Sequence, residues 1–185
     1  MEIVTLATGL LYLFLEIVQS PWMWAVGIAT GIPAAISFGM QHVWASMTLN
    51  IYYVAMSVFG IISWIKASKN VEEGDYALRR LKRGTVIRSA GATIVGTALL
   101  VLLLRLAGGH ESVLDALVLV LSAIGTWWLA RLYLQQWFIW VVADTISTVL
   151  CLKLGMTWLS VLYASYAVWS LYGWYLWKKK GKYID

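Results

Sequence analysis

The sequence predicts an all-α integral membrane protein of seven transmembrane helices, and three observations carry that prediction. Hydrophobic residues make up 61% of the chain and charged residues 12%, with a mean hydropathy of +0.76. A soluble domain holds roughly 25% charged and 45 to 50% apolar residues, so the surplus apolar surface needs lipid as its solvent. The apolar residues gather into runs close to the roughly 20 residues that cross a hydrocarbon core, and the chain has room for about seven of them with short connections. Basic residues lie in the segments between runs, so the net charge of +5 reports membrane orientation and not nucleic-acid binding. Disordered, collagenous and coiled-coil classes are excluded by the same composition. Cys151 is the single cysteine, so no intramolecular disulfide staples the fold.

Apolar runs bounded by charge or turn residues place helix 1 at about 2 to 18. It carries Glu2 where a signal peptide would be basic and passes through Glu16, Gln19 and Pro21 into another span, so it reads as retained. Helix 2, at about 22 to 41, has Gly27, Gly31, Ala35 and Gly39 at every fourth position, a bare face for close helix packing, with Pro33 as a point of kinking. Helix 3 is expected at about 44 to 66, followed by the one long polar stretch, 67 to 84. Helices 4 to 7 follow at about 85 to 107, 112 to 130, 134 to 153 and 156 to 177. Trp22, Trp24, Trp44, Trp64, Trp137, Trp158, Trp174 and Trp177 fall near these ends, where indoles anchor at lipid headgroups.

Orientation follows from the basic residues. Lys66, Lys69, Arg79, Arg80, Lys82, Arg83, Arg88, Arg131, Lys178, Lys179, Lys180 and Lys182 fall on one side, and only Arg105 and Lys153 on the other. The positive-inside rule then puts the N-terminus outside and the C-terminus in the cytoplasm.

The polar stretch divides the helices three, one and three, within a single membrane domain 1–185. The first unit is 1–66, the loop and linker helix 67–107, and the second unit 108–185. The segment Asn50 through Tyr53, Val58, Phe59 and Gly60 to Trp64 aligns, at a shift of 110, with Ser160 through Tyr163, Val168, Trp169 and Ser170 to Trp174. A single linker helix leaves the two units in the same orientation, as parallel repeats with a substrate site expected between them.

Candidate site residues cluster on the inward faces. Asp144 sits mid-way along helix 6, where a charge is costly unless it faces protein or water. Trp137 and Trp140 precede it on the same face, and Ser147, Thr148 and Cys151 follow. An acid beside aromatic walls and hydroxyls suits a flat, polar, cationic ligand, the alternative being hydrogen bonding between helices with no ligand. Asn50 shares a face with Ser46, Tyr53 and Ser57, and Tyr163, Tyr166, Trp169 and Ser170 form a stripe on helix 7. Glu16 and Gln19, near a helix end, read as solvated. Asp144 then stands as the one carboxylate well inside the membrane. His42 and His110 fall on the outer side, far from Asp144, so no Ser-His-Asp arrangement is evident. His110-Glu111 lacks a second histidine four residues on and is no zinc motif. Neither catalytic residues nor a cofactor or metal site is expected, and the chain reads as a transporter and not an enzyme.

Those residues carry a family resemblance. Leu49 through Val54 and Ser57 to Gly60, Tyr12 to Ile17 with Trp22 to Gly27, and above all Gln136-Trp137-Phe-Ile-Trp140 leading to Asp144 resemble the PnuC family of vitamin transporters. The resemblance implies a three-one-three parallel-repeat fold similar to the SWEET sugar transporters, often a homotrimer, in a bacterial inner membrane. It implies facilitated diffusion of a vitamin precursor, nicotinamide riboside or thiamine, trapped by a cytoplasmic kinase. Substrate contacts then fall to Asn50, Tyr53, Trp137, Trp140, Asp144, Thr148, Tyr163 and Tyr166. Relatives are expected to carry Gln where Asn50 stands and Asn where Asp144 stands. A sugar carrier or a structural membrane protein is the competing reading.

Overall fold

The computed structural model describes residues 2–42, 44–106 and 113–185, with side chains for 9–42, 47–106 and 113–185. Its helices are α1 (Glu2–Ile17), α2 (Trp22–Met40), α3 (Trp44–Ser68), α4 (Arg83–Leu106), α5 (Val113–Ala130), α6 (Gln136–Lys153) and α7 (Thr157–Lys180). The seven predicted helices are all present. The end expected at 107 and the start expected at 112 lie outside the described residues, as do His110-Glu111 and the side chains of Trp44 and Ser46.

Four helices, α2, α4, α5 and Met47–Ser68 of α3, are long and apolar enough to cross a membrane on composition alone. The others bury several of their polar residues. Glu16 of α1, Gln136, Asp144 and Ser147 of α6, and Ser160 and Ser170 of α7 are buried, while Ile87, Ile94, Leu103 and Val168 face outward. The apolar faces suit lipid, and the bundle keeps these polar groups away from it.

The small-residue face of helix 2 does what its spacing suggests. A Cβ on Gly27 would stand 2.7 Å from Ser57 Oγ, and one on Gly31 2.8 Å from Val54 Cγ2, so only glycine lets α2 lie this close to α3.

The tryptophans depart from the expectation. Trp22 and Trp158 are exposed as anchors would be, but Trp24, Trp64, Trp137 and Trp177 are almost wholly buried. They form a chain of edge-to-face contacts, Trp24 to Trp64 at 5.3 Å, Trp64 to Trp177 at 5.9 Å and Trp177 to Trp137 at 5.4 Å. Two glycines make room for it: a Cβ on Gly60 would overlap the Trp24 ring, and one on Gly173 would stand 2.5 Å from Trp137. Two indole N–H groups tie the chain across the bundle, Trp64 to Leu129 O at 3.1 Å and Trp177 to Ile17 O at 3.0 Å. Position near a helix end is the same for an anchor and for a buried plug, and only the neighbouring helices distinguish them.

Similar contacts recur along the chain at a spacing different from the expected 110. Trp24 on Gly60 beside Trp64 corresponds to Trp137 on Gly173 beside Trp177 at a shift of 113. A slip of three residues keeps a helix nearly on the same face, so an aromatic and apolar pattern matches almost as well at either register.

The stretch 67 to 84 is more ordered than a solvated loop. Its strand β1 (Tyr76–Leu78) pairs in parallel with β2 (Gly181–Tyr183), which follows α7 directly. Ala77 and Leu78 are buried. Gln19 is not merely solvated: its side chain donates to Ala77 O at 3.0 Å and accepts from Ala77 N at 2.8 Å. Two residues on, Arg79 N donates to Leu132 O at 3.0 Å. Gln19 and Leu132 lie in the α1–α2 and α5–α6 turns and both have positive φ, 52° and 63°. Non-glycine residues adopt that conformation only where surroundings hold it. The strap thus fastens the α1–α2 turn and the α5–α6 turn together.

Candidate functional site

On α6 the helical period sets Gln136, Trp137, Trp140, Asp144 and Ser147 on one inward stripe. Of these, Gln136, Trp137, Asp144 and Ser147 are buried. From α1, Tyr12 and Glu16 lie one turn apart, with Glu16 only 4% exposed. Glu16 is therefore not a solvated helix-end residue, and Asp144 is not the one interior carboxylate. Nearness of Glu16 to a helix end in the sequence gave no sign that α6 covers that end.

Glu16 and Asp144 lie within electrostatic range of each other, and Asp144 within range of Tyr163 and Tyr166 on α7. Tyr53 of α3 is in range of both Tyr12 and Tyr163. Tyr163 and Tyr166 meet edge to face at 6.2 Å, and the Tyr166 hydroxyl occupies the space that a side chain at Gly9 of α1 would fill. Two acids and four tyrosines from α1, α3, α6 and α7 are thereby linked pair by pair within electrostatic range.

Polar groups here are left open by the protein itself. Gln136 faces Glu16 closely enough to act on its charge as a hydrogen-bonding group. Yet Glu16 Oε1, both polar atoms of Gln136, and the indole nitrogens of Trp137 and Trp140 are buried without a hydrogen-bond partner of full geometry. A buried group left unpaired costs about 1 to 3 kcal/mol, which singles out these groups of α1 and α6 as candidate ligand contacts.

The remaining expected residues have distinct placements. Trp137 is enclosed by Gly173 and Trp177, which occupy its ring, whereas Trp140 is half-buried and rests against Gly125 of α5. Thr148 Oγ1 donates to Asp144 O at 2.7 Å within its own helix, which leaves its oxygen as an acceptor. Asn50 is half-buried in the α2–α3 contact, its carbonyl 3.8 Å from where a Cβ on Gly31 would stand. Tyr12, Glu16 and Gln136 are the members that sequence reasoning left out. A carboxylate one turn after a tyrosine inside an apolar run was the available signal.

Comparison with known proteins gives the family and the fold. The family described as nicotinamide mononucleotide transporter matches residues 1–179. The nicotinamide riboside transporter PnuC of Haemophilus influenzae is 26% identical over 145 residues, 78% of this chain and 63% of its own length. This chain therefore spans less than two thirds of that relative. The riboflavin/roseoflavin transporter RibM of Streptomyces davaonensis is 24% identical over 181 residues, 91% of this chain and 81% of its own. A crystal structure of the vitamin B3 transporter PnuC superposes with a TM-score of 0.70 at 22% identity, covering 95% of this chain and 79% of that one, which establishes a shared fold.

Proposed function

This chain belongs to the nicotinamide mononucleotide transporter family, and from that premise we propose that it carries a B-vitamin precursor, nicotinamide riboside, across the membrane by facilitated diffusion. The substrate sits between two parallel three-helix repeats, 1–66 and 108–185, and a cytoplasmic kinase traps it by phosphorylation. The protein works as a homotrimer in a bacterial inner membrane, with its C-terminus in the cytoplasm.

One observation carries the substrate class: Glu16 and Asp144, two buried carboxylates within range of each other, are flanked by tyrosines and by the open amide of Gln136. The pyridinium of nicotinamide riboside is a permanent cation that balances such a pair when the two acids share one proton, its ring suits the aromatic walls, and its carboxamide and ribose hydroxyls match open donors and acceptors. Because the substrate itself brings the counter-charge, no co-transported ion is required. The thiazolium of thiamine would satisfy the acids in the same way. Riboflavin is favoured by the length of the match to the RibM relative, but its uncharged ring leaves both carboxylates without a counter-ion.

Thermal unfolding of the purified protein with nicotinamide riboside, thiamine, riboflavin or glucose tests the reading, since a ligand that binds the native state raises its melting temperature. Nicotinamide riboside is expected to give the largest shift. A shift from riboflavin alone would move the substrate to the second reading, and one from glucose alone would overturn the proposal.

A further inference from the structure

We propose that the cavity between the basic ends of α4 and α5 binds the phosphate headgroup of an anionic phospholipid from the leaflet on the lysine- and arginine-rich side. The cavity, about 390 Å³, lies outside the vitamin site and is walled by Thr85, Arg88 and Ser89 of α4 and by Trp127, Arg131 and Tyr133 at the end of α5. Two guanidinium groups and two hydroxyls converging on one space are the donor set a phosphate requires.

Each donor is prepared by its surroundings. The Arg131 guanidinium stands over the rings of Trp127 at 5.5 Å and Phe59 at 5.6 Å, a cation–π arrangement that holds it in place. Its Nε is buried with no hydrogen-bond partner. Arg88 Nε donates to Gly84 O at 3.2 Å, holding that guanidinium at the rim. Thr85 and Ser89 are buried, and Ser89 Oγ accepts from Trp128 Nε1 at 3.0 Å, which leaves the Ser89 proton to be donated. Arg88 is exposed and Arg131 half-buried, so both guanidinium groups can be reached from outside the chain.

The setting selects a lipid over a dissolved anion. Ala92, Val95 and Leu99 continue the Arg88 face of α4 at four, seven and eleven residues, and all three are exposed and apolar, so the surface runs on from the cavity toward the membrane interior. A diacyl phosphate places its headgroup among the arginines and its chains along these side chains, whereas a free phosphate uses only the first half of the surface. α4 packs chiefly on α5, so a headgroup bridging the two pins the linker helix to the bundle.

The test is native mass spectrometry of delipidated protein in nonionic detergent, titrated with phosphatidylglycerol or with phosphatidylcholine of the same chains. The parent protein is expected to prefer phosphatidylglycerol. Arg88→Gln and Arg131→Gln should each weaken its binding about fivefold, as befits one basic contact at a membrane surface. Lys180→Gln, away from the cavity, should leave it unchanged. Equal binding of the two lipids, or a preference that survives both arginine substitutions, would overturn the proposal. So would inorganic phosphate that displaces the lipid with the same arginine dependence, since the site would then be one for a soluble anion. Where Arg131→Gln fails to fold, Arg88→Gln, exposed at the rim, decides the question alone.

Discussion

At the scale of single residues the site is a matter of which charges the bundle hides. Asp144 was legible because an acid in the middle of an apolar run has no inexpensive explanation. Glu16 was not, because its burial comes from the facing helix and not from its own. If both carboxylates hold a cation, Asp144→Ala abolishes binding in a protein that still folds, and Glu16→Gln weakens it sharply. Asp144→Asn separates two ways of reading the ligand: retained affinity means the pocket reads hydrogen bonds, and lost affinity means it reads charge. Trp140→Ala costs about 0.5 to 2 kcal/mol, the worth of a cation over an indole. Ligand titration of the folded variants measures all four, and undiminished binding throughout would place the site elsewhere.

Among the helices, two glycine notches that accept tryptophan rings decide how the units pack. Gly173→Ala forces a methyl group into the Trp137 ring, and overpacking of that kind costs about 1 to 3 kcal/mol. Thermal unfolding should show the loss, while Gly91→Ala, where nothing stands within 4 Å, should show none. The helices themselves were readable from apolar runs, but the pairing of Trp24 with Gly60 and Trp137 with Gly173 was not. It joins positions 36 residues apart, on α2 with α3 and on α6 with α7. The strap tells the same story. Removing both hydrogen bonds from Gln19 to Ala77 in Gln19→Ala should free the segment, seen as faster proteolysis within residues 67 to 84 and faster hydrogen exchange at Ala77. Unchanged rates would mean that β1 is held by β2 alone.

For the whole molecule, the distribution of Lys and Arg predicts that a reporter fused after Asp185 is active only in the cytoplasm. Activity on the outer side would reverse the assignment of both termini. Liposomes should equilibrate the substrate and go no further; accumulation driven by a proton gradient would assign Glu16 and Asp144 to proton coupling instead. Membrane class, helix number and helix boundaries to within a few residues were determined by the sequence alone, because lipid demands some 20 apolar residues per crossing and leaves that demand visible as local composition. So were the helix 6 stripe and the family. Tertiary structure alone decided that Glu16 is buried within electrostatic range of Asp144, that four tryptophans form an interior chain and not a headgroup belt, and that a polar loop becomes a strap joining the α1–α2 and α5–α6 turns. Each of these depends on which helix lies opposite, a relation between residues far apart in the chain. Local hydropathy carries no record of it, because a polar or aromatic residue near a helix end has the same neighbours in sequence whether it meets water, lipid or another helix.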